Sequence, residues 1–115
     1  MSVTIYHNPR CSKSRQTLQL LEDKGLDPII IEYLDSPPTA ERLQQTLQML
    51  DMGPRDLMRK NEAVYKDSGL NNEALSDEEL IEAMLTNPIL IERPIVIAND
   101  KARIGRPPES VLEIL

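Results

Sequence analysis

The chain has 115 residues, of which 40% are hydrophobic and 28% charged, as is usual for one small globular domain. Its formal net charge of -6 disfavours binding to nucleic acid or to an anionic membrane surface, so neither is expected as a partner. The only cysteine cannot form an internal disulfide, and no apolar run approaches the roughly 20 residues that span a bilayer. We therefore expect a cytoplasmic protein in which the cysteine stays reduced, and we take a monomer as the default.

The first part of the chain has the pattern of a strand, a helix and a second strand. Residues 3–6 are β-forming, and residues 12–24 carry apolar side chains at helical spacing up to Gly25. Residues 28–33 have an unbroken apolar centre, which predicts a strand buried on both faces. Two strands joined by a helix are expected to be parallel.

The rest of the chain predicts several helices and then a β-hairpin. Thr39 is a helix N-cap, and Ser76 to Glu79 form a capping box that opens a later helix. The predicted elements are helices at about 39–52, 54–59, 62–67 and 76–86, strands at 94–98 and 102–105 joined by a turn, and a final helix at 107–115.

This order of elements predicts an α/β protein. A parallel pair of strands and an antiparallel hairpin combine into a four-stranded mixed sheet flanked by helices. That is the thioredoxin-like arrangement, with a helical insertion at about residues 39–91 between the second strand and the C-terminal hairpin. We expect residues 1–115 to form a single domain.

Cys11 lies where the first strand ends and the first helix begins. The free N–H groups at a helix N-terminus stabilise a thiolate, so the pKa of Cys11 is expected below its usual value of about 8.5. Arg10, Lys13 and Arg15 make this segment basic, and no acidic residue occurs among residues 1–21. A buried structural cysteine is the alternative, but the surrounding run is polar, which favours a reactive thiol.

Two arginines, Arg93 and Arg106, each precede a proline, which constrains their backbone. Arg93 comes before one strand of the predicted hairpin and Arg106 after the other, so both are expected at one end of the sheet. If the third strand also runs antiparallel to the first, that end is the one that carries Cys11. Guanidinium groups bind tetrahedral oxyanions through paired N–H bonds, which favours function over two solvated surface charges.

Three further side chains are candidates for tuning the thiol. His7 either hydrogen-bonds toward Cys11 or satisfies backbone groups in the turn. Ser14 stands where a C-x-x-C motif has its second cysteine, and its hydroxyl either donates to the thiolate or faces the core. Arg15 adds positive charge to the same turn. One cysteine and one histidine do not support a zinc site, so no metal is expected.

Taken together, these residues resemble the glutaredoxin-coupled arsenate reductase family (ArsC-like) over essentially the full chain. The matching stretches are Ile-Tyr-His-Asn-Pro-Arg-Cys-Ser-Lys-Ser-Arg at 5–15, Leu-Met-Arg-Lys-Asn at 57–61, Asn-Pro-Ile-Leu-Ile-Glu-Arg-Pro-Ile-Val at 87–96, and Arg106–Pro107. One cysteine with three arginines in this order is a far more specific pattern than any single piece.

The resemblance implies a thioredoxin-like fold in which Cys11 is the nucleophile and Arg59, Arg93 and Arg106 bind the oxyanion. It also implies a cis peptide bond before Pro94. The implied activity is reduction of arsenate to arsenite through a Cys11 adduct, with glutathione as co-substrate, glutaredoxin as partner and no bound cofactor. A lone cysteine has no internal resolving thiol, which fits the need for an external one.

Two other functions remain open at this point. One is a regulator that binds RNA polymerase, as Spx-like proteins of the same fold do, although Ser14 leaves no dithiol to act as a switch. The other is a monothiol oxidoreductase that acts on mixed disulfides of glutathione. Three arginines would be excessive for that function, because glutathione presents carboxylates rather than a tetrahedral oxyanion.

Overall fold

The computed structural model of the protein describes residues 2–115 and divides into two compact units. The first unit runs up to Ser36 and resumes at Arg93–Leu115, and the second comprises Pro37–Glu92. The single domain with a helical insertion stays a prediction.

The first unit is built on a four-stranded mixed sheet. Its strands are β1 (Val3–Tyr6), β2 (Ile29–Ile31), β3 (Ile95–Ala98) and β4 (Lys101–Ile104), in the spatial order β2-β1-β3-β4. β1 pairs with β2 in parallel and with β3 antiparallel, and β3 pairs with β4 antiparallel. Helix α1 (Ser12–Asp23) connects β1 to β2. The predicted mixed sheet with flanking helices is confirmed.

One face of the sheet packs against α1 and against a C-terminal 3₁₀ helix, Pro108–Ile114. Every second side chain of β1 and β3 points to this face. The buried aliphatic cluster there consists of Val3, Ile5, Leu21, Val96, Ala98, Val111 and Ile114. A fully buried Val, Leu or Ile stabilises the fold by about 1.5–3 kcal/mol, so this cluster fixes α1, and with it the residue that opens α1, against the sheet.

The predicted hairpin is present, but its turn has two residues rather than the three at 99–101, because Lys101 pairs with Ala98 as the first residue of β4. Asn99 and Asp100 have φ values of 54° and 61°, in the left-handed region that type I′ turns use. Asn and Asp tolerate this region better than other non-glycine residues. The side-chain Nδ2 of Asn99 also donates to the carbonyl oxygen of Ile114 at 2.8 Å, which ties the turn to the C-terminal 3₁₀ helix.

One prediction about the first unit is wrong. β2 is not buried on both faces, because it is the outer strand of the sheet, and Ile29 and Ile30 are 56% and 48% exposed. The predicted final helix is present as a 3₁₀ helix of seven residues, Pro108–Ile114. Its hydrogen bonds span three residues, as from Ser110 N to Pro107 O at 3.0 Å, a tighter winding that is common in short segments.

The second unit is helical. Thr39 caps its first helix through a bond from Arg42 N to Oγ1 at 3.1 Å, and Ser76 forms the predicted capping box with Glu79. The buried residues Leu80, Ile81 and Met84 lie on the helix that this capping box opens, which packs against the first two helices of the unit. The elements are α2 (Ala40–Leu50), α3 (Pro54–Leu57), α4 (Ala63–Asp67), α5 (Asp77–Thr86) and a 3₁₀ helix (Pro88–Leu90).

Within residues 2–115, no helix combines the length and the apolar character that crossing a lipid bilayer would need. The longest, α1, has 12 residues and therefore rises about 18 Å, against a hydrocarbon core of about 30 Å. The cytoplasmic location and the monomeric state stay predictions.

Candidate active site

Cys11 is the N-cap residue of α1. Its backbone is extended, with φ -95° and ψ 123°, as N-cap residues generally are. The side chain is 9% exposed. The thiol therefore lies, nearly covered, at the positive end of a helix of three turns, where backbone N–H groups lack helical partners.

The β3–β4 hairpin sets two arginines opposite each other. Ile95 pairs with Ile104, and the same register carried two residues outward places Arg93 opposite Arg106. Both arginines are joined to the prolines that follow them by cis peptide bonds. β1 runs antiparallel to β3, so the condition on which the prediction depended is met, and the arginines lie at the end of the sheet that leads to Cys11.

Direct contacts join this end of the hairpin to the thiol. Nε of Arg106 donates to the carbonyl oxygen of Arg93 at 2.8 Å, and Nη2 of Arg106 donates to Sγ of Cys11 at 3.6 Å. One guanidinium thus bridges the backbone before β3 and the sulfur atom. The structure brings Cys11, Arg93 and Arg106 together, and a planar donor of this kind suits both a thiolate and an oxyanion bound to it.

The surroundings lower the pKa of the Cys11 thiol from its ordinary value. Burial is the largest single influence and raises the pKa, because it disfavours the charged form. Four favourable groups outweigh it: the backbone N–H of Ser14, the charge of Arg93, the backbone N–H of Lys13 and the charge of Arg106. Cys11 is therefore more easily ionised than an ordinary cysteine.

Ser14 and His7 form a buried pair within the same unit. Nδ1 of His7 lies 2.6 Å from Oγ of Ser14, which also accepts from the N–H of Asn8 at 3.0 Å. Ser14 is fully buried and His7 is 6% exposed. Of the two roles left open for the Ser14 hydroxyl, the core-facing one is observed, and Ser14 acts on the thiol through its backbone N–H instead.

Burial lowers the pKa of His7, while Glu32 raises it and Arg15 lowers it by smaller amounts. The imidazole is therefore less easily protonated than usual, which suits its bond to a buried hydroxyl. Arg15 donates from Nη1 to the carbonyl oxygen of Pro9 at 2.9 Å. Its contact is with the turn before Cys11, and its charge acts on His7.

Comparison with known proteins shows the family of this chain. The model of the ArsC family matches residues 6–114. This chain belongs to the ArsC family. It is 56% identical to YfgD of Escherichia coli, described as an uncharacterized protein, over 98% of this chain and 96% of that one. It is 53% identical to an arsenate reductase of Haemophilus influenzae over the full length of both. The arsenate reductase structure from Vibrio cholerae, 53% identical, superimposes with a TM-score of 0.97 over 100% of this chain and 98% of that one.

The third arginine that the ArsC resemblance nominates, Arg59, lies in the second unit, between α3 and α4. An isolated antiparallel bridge pairs Met58 with Ile91 just before it. Its guanidinium forms an ion pair with Glu62 and lies near Glu92. In the part of the chain that the structure describes, no group of three His, Cys, Asp or Glu side chains is placed to hold a metal ion.

Sequence reasoning missed two features of this ArsC chain. The bond from Arg106 to the Arg93 carbonyl follows from the hairpin register, which the turn at Asn99 could have given in advance. The pairing of Arg59 with Glu62 joins side chains three residues apart across the connection between two predicted helices, a spacing that does not by itself predict a contact.

Replacing Arg93 with alanine is expected to raise the pKa of Cys11, because a nearby cation favours the thiolate over the thiol. Arg106→Ala should act in the same direction. The measurement is the rate of iodoacetamide alkylation as a function of pH, whose midpoint should move upward in both variants. Arg103 lies on the same hairpin but forms an ion pair with Glu113 of the C-terminal 3₁₀ helix, so Arg103→Ala should leave the midpoint unchanged. Equal midpoints in all four proteins would remove both arginines from the thiol's environment.

Proposed function

We propose that this ArsC-family protein is an arsenate reductase that uses Cys11 as its nucleophile and takes its electrons from glutathione and glutaredoxin. The observation that carries the proposal is the thiol itself: an N-cap cysteine of lowered pKa with a guanidinium donor 3.6 Å from its sulfur. The names of the relatives from Haemophilus influenzae and Vibrio cholerae support arsenate as the substrate.

The proposed reaction has four steps. The Cys11 thiolate attacks arsenic, and one arsenate oxygen takes up two protons and leaves as water. The sulfur of glutathione then displaces a second oxygen as water. The glutaredoxin thiolate attacks the glutathione sulfur and forms a mixed disulfide with it. The bond between that sulfur and arsenic breaks, its electron pair stays on arsenic, and As(V) becomes As(III). Water finally displaces Cys11, and arsenite leaves.

Two arginines in the first unit are the proposed oxyanion ligands there. Arg106 reaches the sulfur, and the charge of Arg93 acts on the same atom, so an oxyanion bonded to that sulfur would meet both guanidinium groups. Fixed donors aimed at the place where charge develops are the most effective form of electrostatic stabilisation. Arg59 is proposed as a third ligand on the family resemblance alone.

External thiols are proposed as the reductant because the sequence holds one cysteine. A second thiol is needed to release arsenic in its reduced form, and the position three residues after Cys11 holds Ser14 in place of a resolving cysteine. Glutathione supplies that sulfur, and glutaredoxin removes it as a mixed disulfide. No bound redox cofactor is part of the proposal.

The test is arsenate-dependent oxidation of NADPH, coupled through glutathione reductase, with glutathione and glutaredoxin each left out in turn. Turnover that needs arsenate and both thiol components supports the proposal. Turnover that needs thioredoxin and thioredoxin reductase instead would mean that thioredoxin, and not glutathione with glutaredoxin, is the electron donor. Release of glutathione from a glutathionylated peptide, without arsenate turnover, would favour the mixed-disulfide oxidoreductase.

A further inference from the structure

Two carboxylates hold Arg59 within the second unit. Its Nη1 donates to Oε1 of Glu62 at 2.5 Å, and its Nε lies 3.9 Å from Oε1 of Glu92. The three side chains are between 24% and 30% exposed. The guanidinium of Arg59 is thus accompanied by the carboxylates of Glu62 and Glu92. The net charge of these three side chains is negative, which disfavours the binding of an anion.

Backbone pairing determines the position of Glu92 beside Arg59. The N–H of Arg59 donates to the carbonyl oxygen of Leu90 at 2.7 Å, and the N–H of Glu92 donates to that of Leu57 at 3.0 Å. In such an antiparallel pair, Arg59 and Glu92 are diagonal neighbours on one face, a distance that long side chains cross. Backbone hydrogen bonds therefore place Glu92 within reach of Arg59.

Glu62 is also positioned by the backbone. It is the N-cap residue of α4, and its N–H donates to the carbonyl oxygen of Arg59 at 3.2 Å. The turn closed by this bond brings the carboxylate back to Nη1. Since Glu62 makes the shorter of the two carboxylate contacts, it is the main competitor for the guanidinium.

We infer that Glu62 is a specificity-determining residue that occupies Arg59 in the free protein and yields it to a tetrahedral oxyanion. The inference rests on the proposed function, which makes Arg59 an oxyanion ligand. Carboxylates and tetrahedral oxyanions use the same N–H groups of a guanidinium, so an anion binds Arg59 only by displacing Glu62 or by tolerating its charge. This competition favours multiply charged oxyanions over singly charged anions.

The test is arsenate binding by the full chain in a Cys11→Ser background, where no adduct forms. The measurement is the arsenate concentration that gives half of the maximal increase in Tm. Glu62→Gln keeps the size of the side chain and removes its charge, and should lower that concentration about two- to fivefold, the range expected for a partly exposed ion pair. Glu82→Gln, an equal charge change on an exposed position of α5, is the control and should change nothing.

Arg59→Ala distinguishes competition from a general charge effect. With Arg59→Ala present, adding Glu62→Gln should no longer lower the arsenate concentration. An unchanged or higher value for Glu62→Gln alone, or the same gain with and without Arg59, would overturn the inference, as would the absence of any arsenate-induced rise in Tm. Arsenate binding without turnover would instead overturn the proposed reaction and leave the competition at Arg59 supported.

Discussion

The Cys11→Ser variant is expected to lose arsenate-dependent turnover by at least about a thousandfold, the scale typical of removing a covalent nucleophile. The serine hydroxyl stays protonated at neutral pH, and the arginines that favour a thiolate cannot make it an equivalent nucleophile. An oxygen–arsenic bond would also give glutathione no sulfur-bound adduct to attack. The measurement is the coupled NADPH assay with glutathione and glutaredoxin present.

The fold should survive this change, which makes the result easy to interpret. Cys11 is the N-cap of α1, and serine is among the preferred N-cap residues, so the Tm should stay level or rise. Ser12→Ala, at the exposed next position, is the matched control and should keep its turnover. Turnover in Cys11→Ser within tenfold of the unaltered protein would mean that another group performs the reaction.

Gly105→Ala is expected to destabilise the protein by about 1–3 kcal/mol, the usual cost of overpacking a filled interior. Gly105 is buried, and an added Cβ would lie 2.5 Å from Oγ1 of Thr17 and 2.8 Å from Cγ of Pro94. Neither neighbour can easily move. Thr17 is fully buried with its hydroxyl bonded to the Lys13 carbonyl oxygen at 2.8 Å, and the ring of Pro94 is rigid.

Urea unfolding measures this effect, and Gly53→Ala serves as its control. Gly53 has φ -82°, and its added Cβ would meet its nearest neighbour at an ordinary 3.5 Å, so the change should cost less than about 1 kcal/mol. Adding Thr17→Ala to Gly105→Ala should recover part of the loss, because it removes the closest obstructing atom. A Gly105→Ala protein as stable as the Gly53→Ala protein would contradict the packing argument.

The local signals in the sequence were enough for the elements and for the thiol. A strand, a polar turn and a helix put Cys11 at an N-cap, and the capping box at Ser76 opens α5 as predicted. The hairpin brought Arg93 and Arg106 to one end of the sheet. Each of these inferences depends on residues close in the chain or on a single pairing register.

What the sequence predicted wrongly or left open depends on contacts between separate parts of the chain. The apolar run at Ile29–Ile31 reads as a central strand, but exposure depends on sheet order, and β3 pairs on the other side of β1. The Ser14 hydroxyl had two open roles because its choice depends on His7, which precedes it by seven residues. Arg59 is nominated only by the family resemblance. Its surroundings cannot be predicted from nearby residues, because a bridge between two separate segments brings Glu92 beside it.

The turn at Asn99 and Asp100 has a consequence for how this chain can vary. It lies at the opposite end of the hairpin from Arg93 and Arg106, yet it fixes which residues of β3 and β4 face each other. Inserting or deleting one residue there would slip the pairing by a step and turn the side chains beyond it to the other face. The side chains of the turn can therefore change far more freely than its length. The number of residues between Arg93 and Arg106 determines whether the two guanidinium groups lie opposite each other.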